Sequence, residues 1–144
     1  MQETCATELK FTSPIAAKSS YMVFIPAVLI AAGIAFLSLW ENPQMPPMMQ
    51  ASDKVMHGIA YAPLSISLMA AWIKTHAPIR IYHSPVVILF AVTVYGGLIE
   101  VLQRFCTLTR TAEMADLIAD FVGAFIGILI VIFLYYIIPT SHRK

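Results

Sequence analysis

Charge is scarce in this chain. Asp, Glu, Lys and Arg make up 12% of its 144 residues, and the net charge is +1. That balance offers no basic field for nucleic acid. Cysteine is nearly missing as well: Cys5 and Cys106 are the two in the chain, and four spans would put them on opposite membrane faces, which argues against a disulfide. Both read as packing residues. Nor is there a Gly-rich phosphate loop, a zinc-ligand spacing or a nucleophile elbow. The first twenty residues, MQETCATELKFTSPIAAKSS, lack the apolar stretch of a cleaved signal peptide. They read as a short cytoplasmic tail.

What the chain does have is apolar length. Hydrophobic residues account for 59% of it and the mean hydropathy is +0.78, outside the range of soluble domains. A span needs roughly 20 mainly apolar residues, and four segments qualify: about 21–40, 54–73, 84–105 and 115–138. The expected fold is therefore an all-α, four-helix transmembrane bundle over 21–138, with cytoplasmic tails at 1–20 and 139–144.

Orientation is read from cations. Lys10, Lys18, Lys74, Arg80, Arg143 and Lys144 fall on one side of this layout, against Lys54, Arg104 and Arg110 on the other. The positive-inside rule puts both termini and the 74–83 connection in the cytoplasm, and connections 41–53 and 106–114 outside. A multi-pass protein of the plasma membrane is the simplest setting. Tyr21, Trp40 and Trp72 suit interfacial belts. Ser52 is expected to cap span two and Ser84, followed by Pro85, to start span three. Pro43, Pro46 and Pro47 break the helix between spans one and two, and Pro63 is either a tolerated membrane proline or a kink that shapes a cavity.

Polar residues converge at the outer ends of three spans. Residues three or four apart share a helix face. Asp53, His57 and Tyr61 therefore form one stripe, Glu100 and Gln103 a second, and Asp116 and Asp120 a third, continued by Gly123 and Gly127. At a rise of 1.5 Å per residue, Glu100 lies roughly 7 Å below the end of its span. Ionisable groups at such depth usually face the bundle interior and mark functional sites. Each has a plainer reading. Asp53, Lys54, Glu113 and Asp116 can be helix-end charges; His57 can be a packed histidine, or one oriented by Asp53; Tyr61 can be structural; Arg110 can be a solvated loop residue or a counterion. Gly123 and Gly127 read first as a helix packing face, and otherwise as a seam for a homodimer.

Five acids, Asp53, Glu100, Glu113, Asp116 and Asp120, share this end with three fixed cations, Lys54, Arg104 and Arg110. The two surplus negative charges need a protonated carboxyl, a charged His57 or a bound cation. Oxygen ligands with one imidazole suit Mg²⁺, Mn²⁺ or Ca²⁺ better than zinc, though no spacing here is specific for a metal.

The ordered motifs Asp53-Lys54-x-x-His57-x-x-x-Tyr61, Gly97-x-x-Glu100-x-x-Gln103, and Arg110 followed by Asp116-x-x-x-Asp120-x-x-Gly123-x-x-x-Gly127 resemble the VanZ-like family of small four-span membrane proteins. The similarity covers spans two to four, about half the chain. It implies Asp53, His57, Glu100, Gln103, Arg110 and Asp116 as the family's pattern residues, and a link to teicoplanin resistance through the founding relative. The chain departs from that pattern at Asp120, where the resemblance leads one to expect asparagine.

Three functions follow as expectations. One is an envelope factor binding or modifying a lipid or lipid-linked precursor through Asp53, His57, Glu100, Gln103, Arg110, Asp116 and Asp120. A second is an intramembrane, divalent-cation-dependent enzyme on phospholipid or glycolipid, with His57, Glu100 and Asp116 as catalytic candidates. A third is a proton- or ion-coupled carrier or flippase. The bilayer is the one certain partner. A purely structural polar network stands beside all three.

Overall fold

The structure, a computed structural model, describes residues 21–40, 50–75, 83–107 and 113–138, with the backbone alone at 50–53. Four helices account for nearly all of these: α1 Ile25–Leu39, α2 Gln50–Thr75, α3 Ser84–Cys106 and α4 Met114–Ile137. Both expected tails, the prolines at 43, 46 and 47, Cys5 and Arg110 lie outside the described residues.

Three of the helices, α2 to α4, are long and apolar enough to cross a membrane. At 15 residues, α1 is shorter than the expected span 21–40. The cause is Pro26 in its first turn, which has no N–H to donate to the Met22 carbonyl, so the chain turns at Val23 and Phe24 before the helix begins. Two expected starts also shift. Helix α2 begins at Gln50, which puts Ser52 inside it, since Gln50 and Ala51 are themselves good helix formers. His83 is the N-cap of α3, with Ser84 and Pro85 as its first two residues and no side-chain cap. Pro63 sits within a continuous α2 and is exposed, so it does not line the bundle interior.

Helices α1 and α3 run one way and α2 and α4 the other. The most extensive pairing is between the parallel helices α2 and α4, and small residues permit it. A Cβ on Gly123 would overlap the Gly58 backbone, and one on Gly127 would meet Ser65 Oγ and the Ala62 carbonyl. The Gly123–Gly127 face is thus consumed inside one chain, which removes it as a seam between copies. Around this contact Tyr61, Leu64, Met69, Ile88, Val92, Ala124 and Ile128 form an apolar core joined by Ala27 and Ile34 of α1. Leucine, isoleucine, valine and phenylalanine cover the outside, as lipid contact allows.

Two side chains of α3 tether α1. Tyr95 donates its hydroxyl to the Ala31 carbonyl at 2.6 Å, and Gln103 Nε2 donates to the Ser38 carbonyl at 3.0 Å. The Ala31 carbonyl lies inside α1, whereas Ser38 is in its last turn, where the helix leaves carbonyls over that Gln103 can satisfy. Tyr95→Phe is expected to lower stability by about 1 kcal/mol, read by thermal unfolding in detergent, with the helical signal unchanged.

Candidate functional site

The end of the bundle where α1 and α3 finish and α2 and α4 start gathers nearly all the buried polar side chains. His57, Glu100, Gln103, Thr107, Asp116, Asp120 and Ser38 are buried there, and in the other half of the described bundle the buried polar groups are Ser65 and Ser84. Helix periodicity explains the delivery. His57 and Tyr61 are one turn apart on α2, as are Asp116 and Asp120 on α4, and all four are buried.

Two layers can be distinguished. In the outer one, Lys54 Nζ reaches Glu113 Oε2 at 2.8 Å and Asp116 Oδ1 at 3.3 Å. Its side chain is 39% exposed, so this is a partly solvated ion cluster. It closes the start of α2 over the start of α4.

The inner layer is buried. His57 Nδ1 lies 2.9 Å from Asp120 Oδ1, and Asp120 is 1% exposed. Glu100, 6% exposed, accepts the Glu113 backbone N–H on Oε2 at 3.2 Å, holding the first residues of α4 to α3. Tyr61 lies parallel to the His57 ring, with centroids 6.4 Å apart and planes inclined by 9°. Three of these buried groups have an atom with no hydrogen-bond partner among the described residues: Glu100 Oε1, Asp120 Oδ2 and the Tyr61 hydroxyl. A ring nitrogen of His57 and one carboxylate oxygen from each of Glu100 and Asp120 lie within 4.8 Å of one another. Chemically, such a set can share a proton, hold a cation or orient an imidazole.

The sequence candidates divide accordingly. His57, Glu100 and Asp120 come together; Asp116 sits above them on Lys54; Gln103 turns away to α1. Arg104 is exposed, and Asp53's side chain and Arg110 lie outside the described residues. The carboxylate that meets His57 is Asp120 of α4, the position at which the chain departs from the family resemblance.

Two glycines were missed. Gly96 faces Asp120: a Cβ there would come within 2.6 Å of Oδ2. Gly58 supplies the backbone against which Gly123 packs. The signal for Gly96 was its place one turn before Glu100; Gly58 had none beyond adjacency to His57.

Comparison with curated proteins and with solved structures gives no match. The sequence model of the VanZ/LLP1 family matches residues 6–135, taking in α1 and part of the region before it as well as the motif-bearing half. With three helices able to cross a bilayer and a match over most of its length, the chain is a multi-pass membrane protein and belongs to the VanZ/LLP1 family.

Proposed function

We propose that this protein works in the cell envelope by binding the polar part of a lipid or lipid-linked envelope component at the polar end of its bundle. One observation carries the reading: ionisable side chains from α2, α3 and α4 are buried together at that end, while the core beyond it is filled by Leu64, Met69, Ile88, Val92 and Ile128. A site at one membrane–water boundary suits a headgroup, and an apolar second half suits a carrier pathway poorly. The six cations assigned to the opposite side favour an outward-facing site. Surface precursors are met on that face, which connects this reading to the teicoplanin resistance the resemblance implies.

The test uses full-length protein carrying Glu100→Ala or Arg110→Ala, checked for membrane insertion. Binding of envelope lipids by native mass spectrometry is expected to weaken roughly tenfold, one lost charge-assisted contact, with a parallel change in teicoplanin susceptibility. Unchanged binding and phenotype in both variants would defeat the proposal.

A second reading draws on the His57–Asp120 pair, an imidazole oriented by a buried carboxylate as general acid–base chemistry requires. It is an intramembrane enzyme acting on phospholipid or glycolipid. Turnover by purified protein that disappears in His57→Gln would favour it over simple binding, and no turnover across a broad lipid panel would count against it.

A further inference from the structure

The inner layer carries a charge problem that its own residues leave unsolved. Glu100 and Asp120 are each more than nine-tenths buried, and each has one carboxylate oxygen without a hydrogen-bond partner among the described residues. Lys54, the cation of the outer layer, is bonded to Glu113 and Asp116 instead. Buried carboxylates are normally hydrogen-bonded on both oxygens, paired with a cation or bound to a metal. Among the described residues, His57 is the one side chain able to carry a positive charge that lies beside both.

We infer that His57, Glu100 and Asp120 form a binding site for one divalent transition-metal ion, with Mn²⁺ the best match. Charge balance supports it: a neutral imidazole and two carboxylates sum to the charge that one divalent ion cancels. Spacing supports it as well. Neighbouring ligands about 2.1 Å from one ion lie about 3 Å apart in octahedral geometry, and His57 Nδ1 and Asp120 Oδ1 are already 2.9 Å apart. Glu100, within 4.8 Å of both, closes the set by rotating its flexible side chain. Gly96 matters here because any side chain on it would press on Asp120 Oδ2.

The donor types choose among ions. One borderline nitrogen with two hard oxygens and no thiolate favours Mn²⁺; Mg²⁺ takes imidazole poorly, and a closed four-ligand zinc site would need one more protein ligand. Three protein ligands leave open positions on a six-coordinate ion. A phosphate oxygen fits such a position, and a bound cation is how an acidic site accepts an anionic headgroup. In that last step the inference rests on the proposed function; the ion site itself does not.

The experiment uses full-length protein in detergent, stripped with chelator and free of added lipid, titrated with Mn²⁺ and followed by electron paramagnetic resonance. One ion per chain is expected, with nitrogen coupling from His57 that vanishes in His57→Gln. Asp120→Asn and Glu100→Gln are expected to weaken binding roughly 100-fold, while Ser67→Ala, away from the site, leaves it unchanged. Zn²⁺ should displace Mn²⁺ and equimolar Mg²⁺ should not. Thermal unfolding of each variant separates loss of the site from loss of the fold. No saturable Mn²⁺ binding by the folded wild-type protein, or binding indifferent to all three substitutions, would overturn the site. Envelope-lipid binding measured with and without chelator then separates the two ideas. Lipid binding that persists without any ion site sinks this inference and leaves the proposed function standing; an ion site with no lipid binding does the reverse.

Discussion

Gly123→Val is expected to destabilise this protein more than any other single change in its helix interfaces. A Cβ at position 123 would overlap the Gly58 backbone oxygen and approach its Cα at 2.7 Å and its carbonyl carbon at 2.8 Å. All three obstacles are backbone atoms, so no rotamer change relieves them, and α2 must move away from α4. That separation would also widen the gap between His57 and Asp120, which lie one residue and three residues from the two glycines. Overpacking of this kind costs about 3 kcal/mol, here compounded by lost contact along the bundle's most extensive interface. Gly127→Ala should be milder. One of its obstacles is Ser65 Oγ, which can rotate, although the Ala62 carbonyl cannot. Gly33→Ala is the control, since a Cβ there meets nothing within 4 Å, and a helical Gly→Ala change is neutral to stabilising. Thermal unfolding in detergent ranks the three. A Gly123→Val protein as stable as Gly33→Ala would refute the close α2–α4 packing.

The order of these effects reflects what periodicity can and cannot disclose. The stripes Asp116–Asp120–Gly123–Gly127 and His57–Tyr61 were legible because residues three and four apart must share a helix face. That they face one another was not, because the sequence offers several carboxylates at similar depth. Asp53, one turn before His57 on α2, is a candidate partner by proximity whose side chain lies outside the described residues; Asp120, which meets the ring from another helix, could not be singled out. Gln103 was grouped with Glu100 by the same rule, yet its amide donates to the Ser38 carbonyl, so one face of α3 serves two neighbours. Hydropathy placed the three long helices well, and it overran α1 because it does not register the hydrogen bond that Pro26 cannot donate. Close backbone approach is hardest of all to read. Gly123 and Gly127 announce it by their spacing, whereas Gly58 and Gly96 gain meaning only once the helices opposite them are known.

Breaking the inner cluster one partner at a time is expected to cost more than removing the pair. Asp120→Leu alone removes the 2.9 Å contact of a buried His57, and His57→Leu alone leaves the Asp120 carboxylate, 1% exposed, with no hydrogen-bond partner for either oxygen among the described residues. An uncompensated buried charge costs on the order of 3 kcal/mol, while replacing a whole buried pair by apolar residues is often neutral. Polar contacts between membrane helices average only about 0.6 kcal/mol. That average comes from pairs whose partners find substitutes once separated, and none of the other described side chains hydrogen-bonds to the Asp120 oxygens. The double variant His57→Leu/Asp120→Leu should therefore recover about 2 kcal/mol relative to the sum of the single changes. Reversible unfolding of the four proteins in one detergent measures this coupling. Recovery of stability without recovery of ligand or ion binding would separate what the pair does for the fold from what it does for function. Additive single effects would mean that His57 and Asp120 do not depend on one another. The buried groups at this end of the bundle would then be independent structural contacts, and the reason for burying a histidine and two carboxylates together would have to lie elsewhere.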